Sequence, residues 1–381
     1  MKTVKKRKVY LDHAATTPLD SKVFSKMRPY LAEKYGNPRA LYALGREAKV
    51  ALVVAREQVA KVIHSRPEEL IFTSGATESD NLVLLGVARA NKSKGNKILI
   101  SAVEHKGILS VAQELKKEGF EIMVIPVQKD GLLDLQKLEE LIDEKTILVS
   151  VTAADSETGT IQPLKEVSKI IAGRCLFHTD ATQAAVYLDL DVKKLSVDLM
   201  TLSAHKIYGP KGVGALYVRQ GVRLAKSHSG TENVPAIVGF GEALTLVAKN
   251  RKREAIKVKK LRDELERGIF QTIPKVLLNG HKTKRLPNFL NVSILDIEGE
   301  AMLLYLDELG IMAGTGSACD AENLKPSAVL TAMGNPYDFV HGSLRFTLGR
   351  QNTSAEVKYV LRELPKVVAK LRKISPLCLT L

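Results

Sequence analysis

One lysine of this chain stands where an apolar stretch gives way to a glycine-rich loop. Lys206 follows the run VDLMTLS in the segment LSAHKIYGPKGVGALYV. The composition of the apolar run predicts a buried strand. A primary amine at the end of such a strand is either a solvated surface charge or a reactive group that condenses with a carbonyl. The polar residues that follow the other β-rich runs decide between these alternatives.

Other β-rich runs also end in polar residues. The run LIFTS precedes Ala76 and Thr77, which open a predicted helix, and a helix N-terminus is suited to bind phosphate. The run KILISA precedes His105, a residue type whose pKa near neutrality suits proton transfer. Taken singly, such signals are also common in plain helix caps and structural histidines. Only their combination is specific.

The combination predicts a site for pyridoxal phosphate. The run LFHTD places Asp180 at a further strand end. A lysine that bonds to the cofactor, an aspartate that keeps the pyridine nitrogen protonated and a phosphate-binding turn are what such a site needs. We therefore predict that Lys206 forms the Schiff base and that Asp180 holds the ring nitrogen. Ser203 and His205 would bind the phosphate together with the helix N-terminus.

Two residues nearer the C-terminus are of types that can react with a substrate or bind it. Cys319 lies in the polar segment GTGSACDAENLKPS, whose glycines predict a mobile loop, and an accessible thiol is a candidate nucleophile. Arg345 lies in the strand pattern SLRFTLG, where its guanidinium needs an anion and can bind a carboxylate with two hydrogen bonds. The sequence therefore predicts a nucleophile and an anion-binding group beside the cofactor.

Composition limits the class of protein. The 381 residues carry 57 Lys and Arg against 42 Asp and Glu, and 45% are hydrophobic, which is typical of a globular chain. The net charge of +15 favours acidic partners, but with 5% aromatic residues and no Trp the sequence disfavours direct nucleic-acid binding. The basic run at 249–262 has helical spacing and predicts a solvated helix face.

The cysteines and the N-terminus indicate a reduced compartment. The three cysteines are widely spaced and form no CxxC pair, so we expect neither a disulfide framework nor a metal site. The basic run MKTVKKRKV predicts a solvated tail and is followed by no apolar segment, so we expect no signal peptide. No apolar run reaches the ~20 residues of a membrane span. We expect a cytoplasmic protein with no membrane partner.

The order of the apolar patterns predicts an α/β fold. From about residue 70, β-rich runs alternate with helical patterns, as in a mostly parallel sheet covered by helices. The last two runs lie too close together for a crossover helix, so an antiparallel strand is expected there. We predict a large cofactor-binding domain at 16–254. A small α+β domain would comprise 1–15 and 255–381 and carry the mobile cysteine loop.

These motifs resemble a known family. The chain is similar to the cysteine desulfurases, pyridoxal-phosphate enzymes of the class V aminotransferase superfamily, from YLDHAATTP to LRKISPL. The most specific stretches are FTSGATESDN, HTDATQ, SAHKIYGPKGVGALYV, GSAC and SLRFTLGR. The long segment after Cys319 resembles the branch with an extended cysteine loop. The resemblance implies the PLP-transferase fold and a homodimer that takes sulfur from L-cysteine and releases L-alanine.

The resemblance also implies roles for matching residues. Lys206 would be the Schiff-base lysine, His105 would stack on the ring and move protons, and Cys319 would carry sulfur as a persulfide. Arg345 and Asn37 would bind the substrate. The cofactor contacts would be Ala76, Thr77, Asp155, Asp180, Gln183, Ser203, His205 and Lys206, with Thr231 reaching in from the partner subunit. The sulfur would pass to an iron–sulfur scaffold or a tRNA-thiolation enzyme.

Three segments depart from the family pattern. The family has Asn-Asn-Glu where this chain reads DSE, so Asp155 replaces an Asn beside the cofactor. Because an ionised Asp only accepts hydrogen bonds, we expect Asp155 to be a handicap, and Asp155→Asn to raise kcat/KM for cysteine above neutral pH. RALY stands where Ser-Ser and a nearby His are usual, and the glycine-rich segment before SGT is shortened, with His228 in place of an Arg.

Two other functions stay open at this point. The chain could be another PLP-dependent lyase or aminotransferase, in which case Cys319 would be dispensable. It could also be a non-catalytic relative that binds a partner or RNA through its basic surface. The pairing of Asp180 with Lys206 argues against the latter, because a protein that only binds has no use for a Schiff-base lysine.

Overall fold

The computed structural model describes residues 8–225, 230–316 and 326–375. Its strands are β1 (Val9–Tyr10), β2 (Leu70–Thr73), β3 (Lys97–Ser101), β4 (Glu121–Ile125), β5 (Thr146–Ser150), β6 (Leu176–Asp180), β7 (Leu199–Ser203), β8 (Gly214–Val218), β9 (Val276–Asn279), β10 (Phe289–Ile294), β11 (Ile311–Met312) and β12 (Ser343–Thr347). Its helices are α1 (Ser21–Ala32), α2 (Ala43–Ile63), α3 (Ala76–Asn91), α4 (Lys106–Lys117), α5 (Leu135–Leu141), α6 (Leu164–Ile171), α7 (Val192–Leu195), α8 (Val234–Thr272), α9 (Gly299–Glu308), α10 (Ala328–Ala332), α11 (Tyr337–His341) and α12 (Ser354–Ile374).

The central sheet is mostly parallel, as the alternation of patterns predicts. Its strand order is β2-β8-β7-β6-β5-β3-β4. β8 runs antiparallel to both of its neighbours, and the other pairs are parallel. The expectation of an antiparallel strand is therefore confirmed, with Ser203 opposite Gly214 in the register of β7 and β8. The carboxyl ends of the parallel strands meet at one edge, where ligands bind in such sheets.

Burial explains why the strands read as unbroken apolar runs. Every residue of β3, β5 and β7 is buried. Because successive side chains point to opposite faces, both faces of the sheet must be covered. The helix α4 contributes to this cover with Ile108, Val111, Ala112 and Leu115, which form one buried stripe at helical spacing. The residues at the strand ends thus stand on a packed scaffold.

The helix α8 connects the sheet to a smaller antiparallel unit. An added Cβ at Gly239 would meet the Met27 side chain of α1, and one at Gly268 would meet Leu361 of α12, so α8 packs closely near both ends. Beyond it, β9, β10 and β12 form an antiparallel sheet. The domain limits given above stay a prediction. Although α8 has 39 residues, no helix within the described ranges is long and apolar enough to cross a membrane.

The N-terminal region differs from the expectation. The run MKTVKKRKV predicts a solvated tail, but its last residue, Val9, is fully buried in β1, which pairs with β11. The helix α1 has no counterpart among the predicted elements, because it buries only Val23 and Met27 and so lacks a long apolar stripe. Both elements depend on distant parts of the chain, which a local pattern does not reveal.

Candidate active site

The segment that follows β1 crosses the carboxyl edge of the sheet and meets Lys206. The Nζ of Lys206 donates to the carbonyl oxygens of Ala14 at 2.5 Å and Ala15 at 2.8 Å. The Nε2 of Gln183 donates to the same Ala14 carbonyl at 3.0 Å. Lys206 and Gln183 come from different loops of the chain, and the structure brings them within hydrogen-bonding distance of one atom.

The turn after β7 is fixed by the same N-terminal segment. Thr17 Oγ1 donates to the carbonyl oxygen of His205 at 2.8 Å and accepts from the N–H of Tyr208 at 2.7 Å. His205 Nδ1 lies 3.2 Å from Thr16 Oγ1. Burial, and then the charge of Lys206, lower the pKa of His205 to about 4, so its imidazole is neutral near pH 7. These bonds hold the lysine-bearing turn from both sides.

His105 lies at the start of α4, within electrostatic reach of Asp180 and Lys206. Its Nδ1 accepts a hydrogen bond from the N–H of Gly107 at 3.2 Å and so caps the helix. Burial lowers the pKa of His105, the charge of Asp180 raises it, and Lys206 lowers it. The neutral ring therefore carries its proton on Nε2. Asp180 itself is 7% exposed and accepts from the N–H of Thr182 at 2.8 Å.

The start of α3 and the end of β7 form a cradle suited to an anion. The N-cap of α3 is Gly75, and no side chain caps this end, so the N–H groups of Ala76 and Thr77 remain available. Ser203 is 1% exposed, and its Oγ has no hydrogen-bond partner within the described part of the chain. An added Cβ at Gly214 would lie 2.9 Å from the Cα of Gly75, so the backbones approach closely here.

This donor set fits pyridoxal phosphate. A buried hydroxyl without a partner and an uncapped helix end supply donors for a phosphate group. Lys206 has the amine that a bond to the cofactor aldehyde requires, and the buried carboxylate of Asp180 suits a protonated ring nitrogen. The fit rests on Ser203 Oγ, which has no hydrogen-bond partner among the described residues, and on the start of α3, which no side chain caps.

Arg345 in β12 is paired with the same N-terminal segment. Its Nη2 donates to Asp12 Oδ1 at 2.8 Å, and its Nη1 donates to the carbonyl oxygen of Ser156 at 2.9 Å. Its Nε is buried and has no hydrogen-bond partner among the described residues. Asp12 and Ala14 are two residues apart, so this segment brings Arg345 close to Lys206. A carboxylate that takes the place of Asp12 would meet Nη2 of Arg345.

Asp155 is hydrogen-bonded within its own loop, which favours a role other than the predicted contact with the cofactor. Its Oδ1 accepts from the N–H groups of Glu157 at 2.9 Å and Thr158 at 2.6 Å. Its Oδ2 accepts from the N–H of Thr160 at 2.9 Å and from the Thr158 hydroxyl at 2.5 Å. Burial raises the pKa of Asp155, while these hydrogen bonds lower it. Because its own loop uses both oxygens, we reassign Asp155 from a cofactor contact to a residue that positions the Ser156 loop.

The other predicted residues lie apart or outside the described ranges. Asn37 is on an exposed turn between α1 and α2, where its Oδ1 accepts from the N–H of Arg39 at 2.9 Å. Thr231 is exposed just before α8. Cys319 and His228 fall outside the residues that the structure describes. The roles of these four residues stay predictions.

Sequence reasoning missed one component of the site, the segment DHAATTP that begins at Asp12. This segment contacts Lys206, Gln183 and Arg345. The only local signal was its composition, in which an Asp and a His precede small residues and a proline. No periodicity links such a segment to a strand that lies more than three hundred residues away.

Comparison with known proteins agrees with this geometry. The chain matches the family model described as Aminotransferase class-V over residues 9–360. It is 47% identical over 378 residues to "Cysteine desulfurase IscS 1" of Archaeoglobus fulgidus, which covers 97% of this chain and 99% of that protein. It is 45% identical over 380 residues to "Cysteine desulfurase IscS" of Methanosarcina thermophila, which covers 97% of this chain and 94% of that protein.

Two solved structures extend the likeness to the fold. A protein described as "NifS-like" matches with a TM-score of 0.90 and 36% identity, over 96% of this chain and 100% of that chain. A structure described as "SspA in complex with cysteine" matches with a TM-score of 0.81 and 30% identity, over 91% of this chain and 100% of that chain. The chain is therefore a member of the class-V aminotransferase family, on the branch of the cysteine desulfurases.

Proposed function

We propose that this protein uses pyridoxal phosphate to take sulfur from L-cysteine. In the overall reaction, L-cysteine and the thiol of Cys319 give L-alanine and a persulfide on Cys319, with no net oxidation. The observation that carries this proposal is the convergence of Lys206 and Gln183 on the Ala14 carbonyl. The relatives named as cysteine desulfurases support the choice of substrate.

The chain's own residues would hold the cofactor and the substrate. Lys206 would bond to the cofactor, Asp180 would face its ring nitrogen, and the phosphate would lie against Ser203 and the start of α3. The bound cofactor withdraws electrons from the substrate carbons. Arg345 would bind the substrate carboxylate through Nη2, the nitrogen now paired with Asp12.

His105 would move protons at the site. With Nδ1 accepting from the Gly107 N–H, its Nε2–H is the group that donates toward the cofactor side. Proton uptake requires a free lone pair, and the only one on the neutral ring is on Nδ1. His105 would therefore act as a base only after the bond to Gly107 breaks.

A homodimer is part of the proposal, because α1, α2 and the turn between them expose several large apolar side chains. These are Leu31 (56% exposed), Leu41 (89%), Tyr42 (61%), Val50 (62%), Val53 (47%) and Val54 (48%). Exposed apolar side chains in such numbers are typical of protein interfaces. In such a dimer, the exposed Thr231 would reach the partner's cofactor. Light scattering should give twice the mass of one chain.

The sulfur acceptor is proposed from the chemistry of the product. A persulfide on Cys319 must pass its outer sulfur to another protein, and we propose an iron–sulfur scaffold or a tRNA-thiolation enzyme. The thiol of Cys319 must be free to accept sulfur, and thiols stay reduced in the cytoplasm, so we place the protein there.

Product analysis tests the proposal. Purified protein with pyridoxal phosphate, L-cysteine and a thiol reductant should release alanine and sulfide in equal amounts. Pyruvate and ammonia in place of alanine would contradict it and favour a lyase. An α-keto acid formed only with an added amino-group acceptor would favour an aminotransferase.

A further inference from the structure

A buried cluster of acidic groups lies behind Asp180 and is not used in the proposed chemistry. His178 and Asp180 are two residues apart in β6, so their side chains point to the same face of the sheet. Asp80 of α3 and Glu104, which follows β3, complete the cluster. The exposed fractions are 1% for Asp80, 3% for Glu104, 0% for His178 and 7% for Asp180.

Hydrogen bonds connect Glu104 to His178. Glu104 Oε1 accepts from the hydroxyl of Ser101 at 3.1 Å and from that of Ser150 at 3.4 Å. Ser150 Oγ also lies 2.9 Å from His178 Nδ1. On the other side of the ring, His178 Nε2 lies 3.1 Å from Thr201 Oγ1. The imidazole therefore stands in the middle of a polar chain that begins at Glu104.

Asp80 lies beside these hydrogen-bonded groups but is not hydrogen-bonded to them. Asp80 Oδ1 lies 3.8 Å from His178 Nε2, beyond the range of a good hydrogen bond. Both carboxyl oxygens of Asp80, and Oε2 of Glu104, lack hydrogen-bond partners among the described residues. Within the same ranges, neither acid forms an ion pair with a Lys or Arg. A buried carboxylate with neither a cation nor a full set of donors costs several kcal/mol, and such a group takes up a proton instead.

We propose that Asp80 and Glu104 keep their protons in the folded protein and leave Asp180 as the one negative charge behind the cofactor ring. The part that concerns the ring rests on the proposed function. The two acids would then be positioning residues: they fill the space behind β6 without adding charge. A single carboxylate matches a single protonated ring nitrogen, whereas three would leave the site with excess negative charge.

The pKa directions agree with the geometry. Burial, and then the charge of Asp180, raise the pKa of Glu104 to about 8. Burial, and then the charge of Asp180, raise the pKa of Asp80 well above its ordinary value; the Thr201 hydroxyl lowers it by less, and Glu104 adds a smaller raising contribution. Burial lowers the pKa of His178 to about 3, so the ring supplies no positive charge to the acids. Besides burial, Asp180, Lys206 and Lys106 all act on the pKa of His105, which stands at the start of α4.

Infrared spectroscopy measures the protonation directly. At about pH 6.5, exposed carboxyls are ionised, so the carbonyl stretch of a protonated acid reports buried groups. Asp80→Asn and Glu104→Gln should each remove part of this band, and Glu139→Gln, at an exposed acid, should remove none. The infrared measurement uses the protein without cofactor. A failure to bind pyridoxal phosphate would therefore overturn the proposed function but not the protonation of Asp80 and Glu104. A band unchanged in both variants would overturn the inference.

The pH dependence of stability gives a second readout. The folded pKa of Glu104 is raised above that of the unfolded chain, so its stabilising contribution is complete below the ordinary Glu value and is lost as pH rises toward about 8. Glu104→Gln should therefore match wild type near pH 5 and melt several degrees higher at pH 8. Parallel melting curves for the two proteins across this window would contradict protonation of Glu104. If Asp80→Asn does not fold, Glu104→Gln carries both tests.

Discussion

Arg345 and Asp12 are joined by a hydrogen bond of 2.8 Å between Nη2 and Oδ1, across 333 residues of sequence. The arginine side chain is 8% exposed and the aspartate 20%, so the pair is largely shielded from water. Asp12 holds Arg345 in the geometry of a carboxylate receptor, and a substrate carboxylate would meet a guanidinium that is already oriented. If Arg345 binds the substrate as proposed, the pair couples the N-terminal segment to substrate binding.

Replacing Arg345 should weaken substrate binding without loss of the cofactor. Arg345→Ala removes charged hydrogen bonds worth about 1.5–3 kcal/mol, which lowers kcat/KM for cysteine roughly ten- to hundredfold, mainly through KM. Steady-state kinetics and the cofactor absorbance test both parts. Arg219→Ala serves as the control, because Arg219 pairs with Asp198 at the other edge of the sheet. An unchanged KM would exclude Arg345 as the carboxylate receptor.

The substitution Asp155→Asn should destabilise the protein, whereas the expectation from sequence was a gain in kcat/KM for cysteine. An Asn keeps one acceptor oxygen but turns an N–H₂ group toward the N–H of Thr160, where two donors then face each other. We expect a loss of about 1–2 kcal/mol in the free energy of unfolding. Denaturant titration measures it, with Asp307→Asn at an exposed site as the control. A more stable Asp155→Asn variant, or one with higher kcat/KM above neutral pH, would restore the original interpretation.

Two cysteines should behave in opposite ways. Cys319→Ser should abolish sulfide release from cysteine and leave the cofactor spectrum intact, because a hydroxyl is a poor nucleophile toward sulfur. Cys175→Ser should keep full activity. Cys175 precedes β6, roughly 17 Å of strand away from the carboxyl edge, and burial raises the pKa of its thiol to about 12. Sulfide release by Cys319→Ser at the wild-type rate would mean that Cys319 does not accept the sulfur.

The fold and the strand-end residues could be predicted because they follow local patterns. Apolar runs predicted the strands that carry Asp180 and Ser203, and helical periodicity predicted α4 behind His105. The contact of Asp12 with Arg345 could not be predicted, because no local pattern records which distant segments meet. The function of Asp155 depends on which donors surround its oxygens, and this is visible only when the backbone of its loop is known.

The role of the buried acids could not be predicted from the sequence either. In the sequence, Asp80 and Glu104 are two polar residues in helix-start motifs. Their significance comes from burial and from the lack of partners for their oxygens, which the folded chain alone reveals. The pattern of charges along the sequence does not distinguish Asp80 and Glu104 from the exposed acids nearby.

The absorption spectrum of the purified protein tests the central claim most directly, that Lys206 bonds to pyridoxal phosphate at the sheet edge. Wild type mixed with the cofactor should turn yellow, and reduction with borohydride should fix the cofactor covalently on the peptide that contains Lys206. Lys206→Ala should show only the spectrum of free cofactor and no activity, while Lys211→Ala, at an exposed lysine in the following loop, should match wild type. A colourless wild type that ignores added cofactor, or a label on another lysine, would contradict the account.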